Sequence, residues 1–277
     1  MLDPKTIRRI EEFVAAQPRS VSEVARHVNR NWRTADRYLE AIKEEFGTIA
    51  TKTFRGGTRG ALKIAYWAGV EQLKGTVFQE GLARQAELFK RKEDFSPLDI
   101  YQHVAPGKRR ARVARRESAG RAVESLANLL RQARQQLLCY SGNLSWLNLQ
   151  SRETRIHDVV EELVERGVTI KVLCRVDLAG YRTIERLLSL NARAGKDVVE
   201  ARHREQPIRA LIIDGRLASL KEVKEPTGKR GELEERLTIY YEISEKEWIS
   251  WLEKLFWRLF SRSPDARQRL ATLQELS

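Results

Sequence analysis

Arg33, Thr34 and Arg37 carry the clearest chemistry in the sequence. They fall within Ser20 to Gly47, SVSEVARHVNRNWRTADRYLEAIKEEFG, at a spacing that puts all three on one side of a helix. Arginine pairs bidentately with guanine in the major groove and discriminates against a wrong base by about 1–3 kcal/mol. Asn31 and Trp32 immediately precede them and are expected to share the contact. Trp32 could pack on the sugar-phosphate backbone or equally in the core. Asp36, among these basic residues, either accepts from cytosine or orients Arg33 or Arg37. Two further basic groups could hold phosphate without reading sequence. One is Arg55 and Arg59 in RGGTRG; the other is Lys108, Arg109 and Arg110 in GKRRARVARR, which has six positive charges and no negative one. Solvated surface is the competing reading for both.

Those residues need elements to position them. Ser22 is a candidate N-cap for a helix with Val24, Ala25 and Val28 on one face. Asn29-Arg30-Asn31 breaks the pattern, and Asn31 can cap a second helix with Ala35, Leu39, Ile42 and Phe46 at helical spacing. A helix, a turn and a helix whose first turns are basic is the arrangement that enters a major groove; an ordinary helical hairpin has the same outline. Upstream, Asp3 and Pro4 open a helix to Gln17, with Ile7, Ile10, Phe13 and Val14 as its apolar stripe. Downstream the period changes to two. Ile49–Phe54 and Leu62–Trp67 flank paired glycines, the pattern of a hairpin. Three helices and then a hairpin is the order of a winged helix, with Arg55 and Arg59 at its tip.

The charge distribution agrees. The chain of 277 residues has a net charge of +13 and a pI near 9.9, which favours a polyanionic partner. Residues 1–118 carry 24 Lys/Arg against 15 Asp/Glu, a balance of +9, and the longer remainder only +4. No apolar run approaches the roughly 20 residues of a membrane span and no signal core opens the chain, so a cytoplasmic protein without membrane contact is expected. Cys139 and Cys174 fall in strand patterns as small core residues. No Cys/His cluster has metal spacing, so no metal and no cofactor is expected.

Residues 70–117 read as a helical linker, with Leu73, Val77, Phe78 and Leu82 on one long helix, Phe95-Ser96-Pro97 as its break and the basic run at its end. From Ser118 helices alternate with strands. Helices are expected over 122–133, 156–166, 183–191 and 245–261, the last rich in aromatics, with strands over 137–140, 168–173, 208–213, 216–221 and 237–243. Gly167 should cap its helix, and the residues after Pro264 read as a short, weakly held helix. Alternation of this kind implies an α/β layer architecture.

The order strand-Ser141-Gly142-Asn143, helix, ELVERGVTIKVL, helix, PIRALIIDGRLASL resembles the phospholipase D-like fold. Active members of that family carry His-x-Lys-x-x-x-x-Asp on a strand, with histidine as the attacking group and lysine steadying the phosphate. Here those places hold Pro207, Arg209 and Asp214. Proline has no nucleophilic nitrogen, and His203 lies out of register, so the resemblance implies a degenerate domain, catalytically inactive and not an enzyme. Arg209 and Asp214 either line a pocket that binds an anion or, the preferred reading, form an internal pair fixing a strand end. A single motif copy implies a homodimer. A winged helix followed by such a domain is similar to the TrmB-like transcription regulators, found mainly in archaea, and WLEKLFWRLF looks like that family's terminal core helix.

The expected architecture is thus an α+β winged helix domain (1–69), a helical linker with a basic run (70–117) and an α/β phospholipase D-like domain (118–277). The expected function is a dimeric, sequence-specific regulator that binds double-stranded DNA. A small-molecule effector is compatible with this reading, though nothing in the sequence supports one. The alternatives are an architectural or defence-associated nucleic-acid binder, whose affinity would follow salt and length and not sequence, and an active phosphodiesterase or nuclease, which Pro207 opposes.

Overall fold

The computed structural model describes residues 3–46, 48–55, 61–67, 76–115, 119–226, 233 and 236–275. The chain forms two compact units, one of residues 1–78, 113–116 and 223–239, the other of 79–112, 117–222 and 240–277.

The first unit begins with α1 (Pro4–Ala16), β1 (Arg19–Ser20), α2 (Val21–His27) and α3 (Trp32–Glu45), followed by β2 (Ile49–Arg55) and β3 (Ala61–Trp67). Asp3 caps α1 and Pro4 occupies its first position. Ser20, and not Ser22, caps α2. The Ser20 hydroxyl accepts from the Glu23 N–H at 3.2 Å, and the Glu23 carboxylate accepts from the Ser20 N–H at 2.8 Å. Only Ser20 has a glutamate three residues on to complete this reciprocal cap, and Ser22 is left buried within the helix. Asn29 makes the turn to α3 in the left-handed region, φ 52°, which asparagine tolerates better than most residues. Ile10, Val14, Val24, Ala25, Ala35, Leu39 and Ile42 close the core between the three helices. Phe46, expected on that stripe, is the C-cap of α3 and is 52% exposed. The small sheet runs β1-β3-β2, and β2 pairs antiparallel with β3 from Ile49↔Trp67 to Arg55↔Ala61.

The linker expected over 70–117 is not a linker throughout. It contains α4 (Thr76–Leu88) and a short α5 (Leu98–Tyr101). Phe95, Leu98, Ile100, Tyr101 and Val104 are all buried. The basic run forms β4 (Arg109–Arg115), an edge of a seven-stranded sheet. FSPLDIYQHV is too short to display a helical period. The run's backbone satisfies one sheet neighbour, while its charges suit an edge that should not recruit another strand.

The larger sheet continues through α6 (Ala119–Leu130), β5 (Gln136–Tyr140), α7 (Ile156–Glu165), β6 (Thr169–Cys174), α8 (Tyr181–Leu188), α9 (Leu190–Ala194), β7 (Val199–His203), β8 (Ala210–Ile213), β9 (Leu217–Lys224), β10 (Leu237–Ile243), α10 (Lys246–Ser261) and α11 (Ala266–Glu275). Its order is β4-β10-β9-β8-β5-β6-β7, with β5, β6 and β7 parallel and β8 antiparallel to β5. The central strand is buried on both faces, as its continuous apolar run requires. Leu137 and Cys139 join the core with α6 and α7. Alternating with them, Tyr140 meets Phe256 of α10 edge-on at 5.1 Å and donates its hydroxyl to the Leu252 carbonyl at 2.7 Å. The aromatic stripe of α10 is therefore core: Trp248, Phe256 and Phe260 are buried. Gly167 ends α7 at φ 79°. The final helix is held more firmly than its sequence suggests, since Ala266 and Leu270 enter the core.

The outer edge of β7 is closed by its own chain. Asn191 accepts from the N–H groups of Val198 and Val199 and donates to the Val199 carbonyl, and the His203 N–H donates to the Pro264 carbonyl.

Candidate nucleic-acid interface

The second helix of the helix-turn pair presents a defined basic face. The Asn31 side chain accepts from the Thr34 N–H at 2.8 Å, so Asn31 caps α3 rather than standing free. Arg33 and Arg37 are exposed, and Thr34 is half-buried beside them. Among the described residues neither arginine has a hydrogen bond or an ion pair. Trp32 is half-buried and packs against the core.

Asp36 has a third role, outside both readings given to it. It orients neither arginine but reaches across to Lys63 of β3, 2.5 Å away, and Lys63 also meets Glu40 at 2.8 Å. Glu40 further accepts from the Thr51 hydroxyl at 3.1 Å and pairs with Lys43 at 3.1 Å. The hydrogen bond from Lys63 is the main reason the Glu40 carboxyl is lowered to about 2. Burial works against the Lys63 ammonium, but the two carboxylates prevail and raise it. Sequence spacing gave no sign of this bridge, because Asp36 and Lys63 are 27 residues apart.

The remaining basic residues divide. Arg59 lies outside the described residues, and only the backbone of Arg55 is described. Lys108 and Arg110 are exposed. Arg109 is committed internally: its guanidinium donates to the carbonyls of Tyr101 and Gln102 at 2.7 and 2.8 Å and stacks on the Tyr101 ring. The expected phosphate contact by a free Arg109 is thereby corrected, since its Nη1 is taken by the two carbonyls at the end of α5.

A second polar cluster lies at the carboxyl ends of β5 and β6, the edge where open α/β sheets hold ligands. Here Ser141-Gly142-Asn143 leaves β5, Arg175 leaves β6, and Pro207 and Arg209 lead into β8. The Arg209 Nη1 donates to the carbonyls of Gln206 and Ile208 at 2.7 and 2.8 Å. Burial, and then the nearby Arg175, hold its guanidinium below the usual arginine value. No carboxylate pairs with it among the described residues. Gln206 is 1% exposed, donates to the Ser141 carbonyl at 3.0 Å and leaves its Oε1 without a partner. Leu144 sits in the left-handed region at φ 59°, a strained conformation for leucine.

Asp214 is not Arg209's partner. It stands at the other end of β8, roughly 16 Å away for five extended residues. There it accepts from the N–H groups of Arg134, Gln135 and Gln136 at 2.9–3.2 Å and meets Arg216 at 3.5 Å. The expected internal pair is corrected on this point: Asp214 does fix the start of a strand, but through backbone donors. His203 is oriented by accepting from the Val176 N–H at its Nδ1, 2.9 Å, and burial, then Arg269, lower its imidazole from the ordinary value. His157, Asp158 and Glu161 cluster on α7. Arg155 and Arg193 already neutralise the two carboxylates, so no cation is assigned there.

No protein-family model and no curated protein sequence matches this chain. Among solved structures it is similar to Nuc, a phospholipase D family member from Salmonella typhimurium, at 12% identity and a TM-score of 0.40, over 57% of this chain and 98% of that one. It is similar to TrmBL2, an archaeal chromatin protein whose structure shows a novel mode of DNA binding, at 16% identity and a TM-score of 0.38, over 95% and 94%. It is also similar to phosphatidylserine synthase from Haemophilus influenzae, at 11% and 0.39, over 76% and 57%. The expectation that this chain is not an enzyme is corrected by these likenesses, which include an enzyme by name. Pro207 does not by itself establish inactivity, because a missing histidine removes one nucleophile at one position and nothing else. Among the described residues no helix is long and apolar enough to cross a membrane.

Proposed function

We propose that this chain binds double-stranded DNA through α3, acting as the reading helix of a winged helix-turn-helix, and that it works as a dimeric, sequence-specific regulator of transcription. The observation that carries the reading is the pair Arg33 and Arg37. Both are exposed, both lack an acidic partner among the described residues, and both project from the first turns of an N-capped helix. Unpaired arginines at that place suit guanine edges, while Lys108 and Arg110 suit phosphates. A dimer follows from the economy of operator recognition, in which two helices read half-sites about one helical turn apart.

The test is recovery of sheared genomic DNA by the purified protein at near-physiological salt, followed by sequencing. Enrichment at sites with two-fold symmetric half-sites supports a dimeric regulator. Even coverage points instead to an architectural or defence role. Arg33→Ala with Arg37→Ala should abolish the enrichment and leave weak, salt-sensitive binding; an unchanged profile rejects the assignment.

A second reading concerns the sheet edge. Arg209, half-buried and unpaired by any described carboxylate, favours a bound phosphate group there. Inorganic phosphate should then raise the unfolding temperature of the wild type and not of Arg209→Ala.

A further inference from the structure

Two acids and two arginines interleave along α3. Asp36 lies three residues after Arg33, and Glu40 three after Arg37, the spacing at which opposite charges on a helix ordinarily pair. Neither pair forms among the described residues. Both acids turn instead to one lysine on the neighbouring hairpin: Lys63 Nζ stands 2.5 Å from Asp36 Oδ1 and 2.8 Å from Glu40 Oε1. The three side chains are largely withdrawn from solvent, Lys63 to 17% exposure, Asp36 to 25% and Glu40 to 33%. Thr51 of β2 and Lys43 occupy the rest of Glu40.

We infer that Lys63 is a positioning residue which keeps Arg33 and Arg37 available by holding Asp36 and Glu40 away from them. This rests on the reading of α3 as a DNA-binding helix and deepens it: the affinity of the arginines for bases is set from the hairpin. Without Lys63 the nearest cation to Asp36 along the helix face is Arg33, and Glu40 keeps Lys43 but gains Arg37 as a second choice. Each arginine that turns to its acid must give up that pair before it can reach a base, so the acids would compete with guanine for the same donors. The effect is self-inhibition by the helix's own carboxylates, and Lys63 suppresses it.

The competing account is that Lys63 only braces α3 against β3. The two accounts differ in sign when the acids are removed. Four proteins, wild type, Lys63→Met, Asp36→Asn with Glu40→Gln, and the triple variant, are titrated with a recovered duplex and with an unrelated one, each after its thermal unfolding shows it folded. The wild type and Arg33→Ala/Arg37→Ala are run alongside. Lys63→Met should lose about fivefold in affinity for the recovered duplex, the order expected when two helix-face ion pairs, about 1 kcal/mol together, must be broken. The acid-free double variant should bind at least as tightly as wild type, and the triple variant should return to within about 1.5-fold of it. If the triple variant is as weak as Lys63→Met, or the double variant equally weak, Lys63 is a brace and the inference is overturned. Should Arg33→Ala/Arg37→Ala bind like wild type, the parent reading fails instead. A readout independent of DNA is the Nε–Hε resonance of Arg33, which should show slowed solvent exchange in Lys63→Met and not in the triple variant. Unaltered exchange in Lys63→Met also overturns the proposal.

Discussion

The guanidinium of Arg209 lies directly over Gly142: a Cβ placed on the glycine would stand 3.0 Å from Nη2 and 3.2 Å from Nε. A side chain on the β5–α7 loop and the arginine cannot both keep these places, so the glycine defines where Arg209 rests. Gly142→Ala should therefore displace Arg209 and lower stability by about 1–3 kcal/mol, the usual cost of overpacking. Chemical denaturation checks the stability, and loss of any phosphate-dependent rise in unfolding temperature checks the displacement. Unchanged values in both would show that Arg209 yields without cost.

Glu40 supplies a pH signature for the α3–hairpin bridge. Its carboxyl is held at about 2 in the folded chain, against an ordinary value of 4.5. A carboxyl depressed by folding stabilises the fold fully above its unfolded value and loses that contribution as pH falls through its folded value. The stability advantage of wild type over Glu40→Gln should be constant near neutrality, shrink below about pH 4.5 and vanish near pH 2. Thermal unfolding of both proteins across pH 2–7 measures it; a difference that persists at pH 2 would mean packing, not charge, distinguishes them.

Asp214 should behave similarly at the larger sheet. Burial opposes its ionisation, but the N–H groups of Gln136, Gln135 and Arg134 outweigh that and lower the carboxyl from the usual value of 3.8. Its side chain is 9% exposed. Asp214→Ala should cost about 1–3 kcal/mol, since three backbone donors at the start of β5 lose a charged acceptor and alanine must adopt φ near 50°. Asp214→Asn should cost less. The advantage of wild type over Asp214→Asn should decline as pH falls below about the ordinary carboxylate range.

Asn191 can be tested by the edge it closes. Asn191→Ala removes the side-chain partner of the Val199 N–H and carbonyl and leaves the Val198 N–H only the Lys196 carbonyl, so a loss of about 1–3 kcal/mol is expected, together with faster amide exchange at Val199 and, less strongly, at Val198. Exchange rates equal to wild type at both amides would show that water replaces the side chain without penalty. An unpaired β7 edge is also a template for another strand, so light scattering of this variant should rise with concentration.

Local signals in the sequence determined much of the fold. Asp3 and Asn31 cap helices because a short polar side chain beside an apolar-periodic segment has few other uses, and Gly167 ends α7 because only glycine enters the left-handed region without cost. The β2–β3 hairpin followed from a period of two, which chain geometry alone imposes. The basic face of α3 was legible for the same reason, since Arg33, Thr34 and Arg37 share it by helical spacing. What tertiary structure alone decided were partnerships between residues far apart in the chain. Lys63 claims Asp36 and Glu40, Arg109 turns to the carbonyls of Tyr101 and Gln102, and Asp214 holds the start of β5 rather than Arg209. The basic run became a sheet edge by pairing with a strand that follows it by more than a hundred residues. Periodicity reports which face of an element is apolar; it does not report which charge lies across from which, because that depends on how faces meet, and the meeting is settled by packing.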